Sequence, residues 1–185
     1  MHINPLKLKG TYEIGFERIG DSRGFFMRFY DRKLFAAHNL QTVWEQESVS
    51  FNRQKNTVRG LHFQLPPFVE TKIVRVAQGA IWDVFLDLRK DSETYGAWDA
   101  VELSAENDRA VYIPKGFAHG FRTLTENALV EYKIDVPYQA NLASGIRWND
   151  ATLNIDWKIE NPIISTRDAK LHFFADFDSP FLMEN

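Results

Sequence analysis

The fold class predicted by this 185-residue sequence is all-β: a double-sheet jelly-roll barrel with a few short helices. Three observations predict it. Short runs of β-branched and large apolar residues recur at roughly 8–12-residue spacing, each closed by a turn signal. One run, within TKIVRVAQGAIWDVFLDLR, sets Trp82, Val84, Leu86 and Leu88 on one face and Ile81, Asp83, Phe85 and Asp87 on the other. A face that mixes acids with an aromatic ring suits the inside of a barrel that holds a polar ligand. Helical patterning is confined to two short stretches.

The elements follow in order. DRKLFAAHN (31–39) is the better helix candidate, with Asp31 as its N-cap. TVRGLHFQLPP (57–67) reads as a strand that stops at a proline pair. Gln78-Gly79 marks a turn between two strands in residues 71–89. AWDAVELS (97–104) alternates, AENDR turns, and AVYIP (110–114) is extended up to Pro114. GFAHGFRTL (116–124) and ALVEYKIDV (128–136) are two more strands, separated by Thr125-Glu126-Asn127. DAKLHFFADF (168–177) is read as a second short helix. No linker, repeat or low-complexity tract divides the chain, so one domain over residues 1–185 is expected.

Composition limits the function. The chain is 44% hydrophobic and 14% aromatic, well outside the disordered class. A net charge of −3 argues against nucleic acid or an anionic membrane as partner, while leaving room for a local anion pocket. With no cysteine, thiolate chemistry and disulfides are excluded. The first residues lack the apolar core of a signal peptide and no run is long enough to span a bilayer, so a cytoplasmic protein is expected.

Of the five histidines, His2, His38 and His172 read as surface residues. His62 and His119 each sit on a predicted strand beside a glycine, where a ligand or another backbone can approach closely. Arg59 and Lys72 flank His62, and both are costly to bury without an anionic partner. With Tyr132 they make a set suited to proton transfer on an anionic substrate. Two histidines far apart in sequence, without a thiolate or a close carboxylate, fall short of a three-ligand metal site, and no metal is expected. GxxxxGK[ST], GxGxxG and GxSxG are all absent.

The motifs DSRGFF (21–26), VRGLHFQLPP (58–67), TKIVRVAQGAIWDVFLDLRKDSETYGAW (71–98), VELSAEN (101–107), YIPKGFAHGF (112–121), EYK (131–133), GIRWND (145–150), NIDW (154–157) and ISTRD (164–168) are long. In content and order they resemble the dTDP-4-dehydrorhamnose 3,5-epimerase family. The resemblance implies a cupin-type jelly roll, a homodimer, no cofactor, and a nucleotide-diphospho-4-keto-6-deoxyhexose substrate inverted at C3 and C5 through an enolate. It implies His62 as base, Asp168 as the carboxylate that orients it, Tyr132 as the acid on the opposite face, and Lys72 as the cation near the C4 oxygen. His119 and Asp83 match a second pair facing the sugar. Arg23 and Arg59 match pyrophosphate or sugar contacts, and Gln46 falls among the substrate-binding residues. Phe26, from the partner subunit, and Tyr138 match rings that sandwich the base.

From the residues alone, Asp168 could instead cap the C-terminal helix, Asp83 could pair with an arginine, and Tyr132 could be a barrel residue. Three places depart from the family's pattern. Arg28 stands where a glutamate is usual. Gln46-Glu47-Ser48-Val49-Ser50 lacks the asparagine and histidine of Q-x-N-H-S. Pro137 replaces the first tyrosine of a pair. These changes fall on recognition segments. An epimerase of C3 alone or C5 alone, on a related dTDP or CDP sugar, is therefore the alternative, alongside a non-catalytic sugar-nucleotide-binding barrel and a metal-dependent barrel enzyme.

Overall fold

The computed structural model describes residues 1–183. Its strands are β1 (His2–Pro5), β2 (Tyr12–Gly15), β3 (Arg18–Asp21), β4 (Gly24–Met27), β5 (Gln46–Asn52), β6 (Thr57–Gln64) and β7 (Lys72–Gln78). They continue with β8 (Ala80–Asp87), β9 (Trp98–Ser104), β10 (Arg109–Ile113), β11 (Phe117–Thr123), β12 (Ala128–Ile134), β13 (Ala143–Gly145) and β14 (Ile163–Ile164). One α-helix, α1 (Arg32–Ala37), lies between β4 and β5. The predicted strands from residue 57 to residue 136 all form within a residue or two of their expected ends.

Two large sheets face each other. One runs β1-β2-β10-β7-β12-β5, the other β13-β6-β11-β8-β9, with β14 added parallel to β6. β3 and β4 form a separate hairpin. The strands on either side of Gly79 therefore do not pair with each other: β7 belongs to the first sheet and β8 to the second. The chain changes sheet at Gly79, whose φ is +75° and where a Cβ would sit 2.3 Å from Thr125 Oγ1. It changes sheet again between β10 and β11 and between β11 and β12, as in a jelly roll.

Alternation along the strands sorts side chains into three apolar layers. Ile81 and Phe85 join Val74, Val76, Val111, Phe121 and Val130 between the sheets. Val84, Leu86 and Leu88 point the other way, under Leu153, Trp157 and Phe181 of the C-terminal segment. Ile73, Ala110 and Tyr112, on the outside of the first sheet, are covered by Phe35 of α1 and by Ile3 and Phe16. The Asp31 carboxylate accepts from the Lys33 and Leu34 amides, which caps α1 as expected. Asp87, on the inward-reading face of β8, is not a pocket residue. Its carboxylate is fully buried and accepts from Arg89, Ser92 and Thr94, closing the loop after β8.

The second short helix does not form as predicted. Residues 168–177 hold two 3-10 turns, Asp168–Lys170 and Phe174–Asp176, with extended backbone between them. Two contacts pull that backbone out. The Arg147 amide donates to the His172 carbonyl at 2.8 Å, and the Phe174 amide donates to the Asp150 carboxylate at 2.7 Å. Tertiary partners thus take a carbonyl and an amide that a helix would use. Among the described residues, no helix is long and apolar enough to cross a membrane.

Candidate active site

The inward faces of β5, β6, β7, β11 and β12 enclose a cavity of about 220 Å³ lined by Ser48, Arg59, His62, Lys72, His119, Gly120, Phe121, Tyr132 and Ile134. Strict alternation would put Arg59 and His62, three residues apart, on opposite faces of β6. A bulge removes the conflict. His62 pairs with His119 and Arg59 with Phe121, so β6 spends three steps where β11 spends two. Gly60 is the extra residue, at φ +117°. A Cβ there would lie 2.6 Å from the Gly120 Cα, and one on Gly120 would lie 2.6 Å from the Arg59 carbonyl oxygen. The glycines beside both histidines thus serve the close approach of two backbones.

His62 Nε2 lies 2.8 Å from Asp168 Oδ1. Asp168 is buried, while the His62 side chain is 38% exposed toward the cavity. The second Asp168 oxygen accepts from the Gly60 amide at 3.2 Å, so the bulge that turns Arg59 inward also fixes the carboxylate. Burial alone would raise the Asp168 pKa. The His62 hydrogen bond and charge, with the Gly60 amide, outweigh it and hold the group below the usual carboxylate range. An ionised carboxylate can only accept, so Nε2 carries the imidazole proton and Nδ1 keeps the lone pair.

His119 Nε2 lies 2.8 Å from Asp83 Oδ2, and both groups are buried. Burial pushes the Asp83 pKa up, against the opposing pull of His119 and Lys72. The Tyr132 ring stands edge-on to His119 at 6.2 Å between centroids. Burial, and then the Asp83 charge, push the Tyr132 hydroxyl far above the usual tyrosine value, with Arg59 pulling the other way. The phenol therefore holds its proton. Lys72, 9% exposed, pairs with Glu70 at 2.8 Å. The Arg59 Nε donates to Asn52 Oδ1 at 2.6 Å.

Of the residues singled out in the sequence, the structure brings His62, Lys72, Tyr132, His119 and Arg59 around one cavity, with Asp168 and Asp83 directly behind the two imidazoles. Gln46, paired with Ile134 of the cavity wall, and Tyr138 lie together outside its lining, the Tyr138 amide donating to Gln46 Oε1 at 2.9 Å. Arg23 and Phe26 are on the β3–β4 hairpin. The Arg23 side chain is 88% exposed and pairs with Asp21, and Phe26 lines a separate groove with Arg28 and Asp31. Sequence reasoning did not single out Glu70, Asn52 or Ser165, whose Oγ accepts from the Asp168 amide at 3.0 Å. Glu70 had a signal, standing two residues before Lys72, where an extended chain puts both on one face. Among the described residues, no group of three or more His, Asp or Glu side chains is placed to hold a metal ion.

The comparisons with known proteins agree with one another. The family model for dTDP-4-dehydrorhamnose 3,5-epimerase matches residues 5–176. The dTDP-4-dehydrorhamnose 3,5-epimerase of Shigella flexneri is 41% identical over 162 residues, 86% of this chain and 88% of that one. A dTDP-4-dehydrorhamnose 3-epimerase of Streptomyces niveus is 35% identical over 179 residues, 95% of this chain and 85% of that one. The crystal structure of the 3,5-epimerase from Bacillus anthracis, solved with TDP and pyrophosphate bound, superposes with a TM-score of 0.90 at 41% identity. It covers 93% of this chain and 98% of that one.

Proposed function

Because the chain belongs to the dTDP-4-dehydrorhamnose 3,5-epimerase family, we propose that it inverts C3 and C5 of a dTDP-4-keto-6-deoxyhexose in the cavity between β6 and β12, with His62 as base and Tyr132 as acid. The ketone at C4 acidifies the protons on C3 and C5. His62 Nδ1 takes one of them, and the Asp168 carboxylate stabilises the imidazolium that forms. The electron pair moves onto the C4 oxygen, where the Lys72 ammonium meets the enolate charge. The Tyr132 hydroxyl returns a proton to the same carbon from the opposite face. The tyrosinate left behind is strongly basic, which favours recovery of a proton from the imidazolium through solvent. The same cycle then serves the other carbon. Arg59, whose buried neighbour Asn52 is neutral, suits the diphosphate or sugar oxygens.

The observation that carries this reading is a carboxylate-backed imidazole and a proton-holding phenol lining one cavity. The test is proton NMR of dTDP-4-keto-6-deoxyglucose with the protein in deuterated buffer. Loss of both the C3 and C5 proton signals is expected. Exchange at C3 alone would make the chain a 3-epimerase, a second reading favoured by the Streptomyces niveus relative. No exchange by folded protein would overturn both. We further propose that the protein works as a homodimer with Phe26 reaching the partner's site. Support comes from Ile19, Phe25 and Phe26 on the hairpin and Val49 and Phe51 on edge strand β5, all half or more exposed.

A further inference from the structure

Three of the four basic groups that line the cavity have a carboxylate behind them at the same separation. His62 has Asp168 at 2.8 Å, His119 has Asp83 at 2.8 Å, and Lys72 has Glu70 at 2.8 Å. Unlike Asp168 and Asp83, Glu70 stands outside the motifs that carry the family resemblance. Glu70 lies in the loop before β7 with a side chain only 10% exposed, and it does not line the cavity that Lys72 lines. An anionic substrate gains nothing from an extra carboxylate beside its site, so Glu70 needs a reason to be there. Its only charged neighbour in an ion pair, among the described residues, is Lys72.

Lys72 has a flexible four-carbon stem and an ammonium that can point in several directions. A carboxylate at hydrogen-bond distance takes one N–H and fixes the head, leaving two N–H groups to aim into the cavity. It also offsets part of the cost of holding a buried cation before substrate arrives. We infer that Glu70 is a positioning residue that holds the Lys72 ammonium where the enolate oxygen develops, as Asp168 holds His62. The inference rests on the assignment of Lys72 to the C4 oxygen made above. It places the effect of Glu70 in the transition state, because enolate charge is absent from the bound ketone.

The test is a double-variant cycle on the full chain with Glu70→Gln, Lys72→Met and both together. It is read by kcat and KM for dTDP-4-keto-6-deoxyglucose and by C3/C5 deuterium exchange, with thermal unfolding of each variant alongside. Glu70→Gln is isosteric and should leave Tm within a few degrees. We expect it to lower kcat about tenfold or more with KM changed less than about threefold. Glu70→Asp should recover part of the loss. In the Lys72→Met background, Glu70→Gln should have no further effect, because its route of action is gone. Equal losses from Glu70→Gln in both backgrounds would overturn the inference, as would unchanged kcat or a loss confined to Tm. If Lys72→Met itself leaves kcat and exchange unchanged, the assignment of Lys72 fails and the inference falls with it, a result distinct from the others.

Discussion

At the scale of single residues, the chemistry depends on which imidazole nitrogen is free. Asp168 decides that, and Asp168→Asn tests it. The Asn amide can still accept from the Gly60 amide with its oxygen, which turns its NH₂ toward His62 Nε2. The imidazole must then carry its proton on Nδ1, the nitrogen required as base. A drop in kcat of roughly 10³–10⁴ is expected with the fold retained, by analogy with the same tautomer error in other His–Asp pairs. A kinetic comparison with circular dichroism on the same samples checks it. The variant has a pH signature too. The Asp168 pKa is depressed in the fold, so its stabilisation is present above the unfolded carboxylate value and lost as pH falls through the depressed one. Asp168→Asn should therefore lower Tm at neutral pH and narrow the difference from wild type in acid.

These roles were only partly legible at that scale. His62, Tyr132, Lys72 and Asp168 were named through their motifs. Spacing alone could not pair His62 with Asp168, which is 106 positions away. Asn52 was invisible for a different reason. It is a buried polar residue whose NH₂ donates to the Ser50 and Ala128 carbonyls, which forces its oxygen onto Arg59. Nothing in the local sequence distinguishes such a residue from a turn former.

At the scale of elements, the bulge at Gly60 is the least replaceable feature. Ala there would need φ near +117° and would drive a methyl into the Gly120 backbone. Gly60→Ala should cost at least about 2 kcal/mol from strain and overlap together. It should reduce turnover beyond the stability loss, because Arg59 and His62 face the same way only through the bulge. Urea unfolding and kcat/KM measured on the folded fraction separate the two effects; unchanged values for both would mean β6 absorbs the methyl elsewhere. The strands from residue 57 to residue 136 were readable because each carries an alternating run closed by a turn signal, whereas β13 and β14 are too short to show one. β1 to β4 were not, since four-residue strands with exposed or glycine-rich patterns give too little period to see. The missing C-terminal helix was a tertiary effect, with Arg147 and Asp150 taking up the backbone of His172 and Phe174.

For the molecule as a whole, the two sheets are each covered on their outer side by a terminal segment, but the covering is uneven. The outer face of the first sheet near β5 keeps a groove of about 490 Å³ in which Arg75–Glu131 and Lys133–Glu47 pairs sit beside Phe29 and Tyr30. Phe25 and Phe29 border the neighbouring groove, which ties the exposed hairpin to this face. If this face is the homodimer contact proposed above, Val49→Asp should shift the sedimentation coefficient from dimer to monomer, while Lys55→Asp, with Lys55 on the β5–β6 turn, should not. A wild-type monomer at micromolar concentration would dismiss the proposal. The jelly-roll class was readable at this scale because it needs only strand number, length and alternation. The assignment of strands to sheets was not, because a turn signal such as Gln78-Gly79 says that the chain turns and not whether it changes sheet.

The carboxylate behind His62 arrives late in the chain, after every strand of both sheets. A polypeptide emerging N-terminus first can close the barrel and assemble the cavity around His62, Lys72, His119 and Tyr132 before Asp168 has been added. In the proposed mechanism such a nascent barrel would lack the group that readies its base. The order of synthesis would then act as a safety catch, arming the catalyst only after the strands of both sheets have been made.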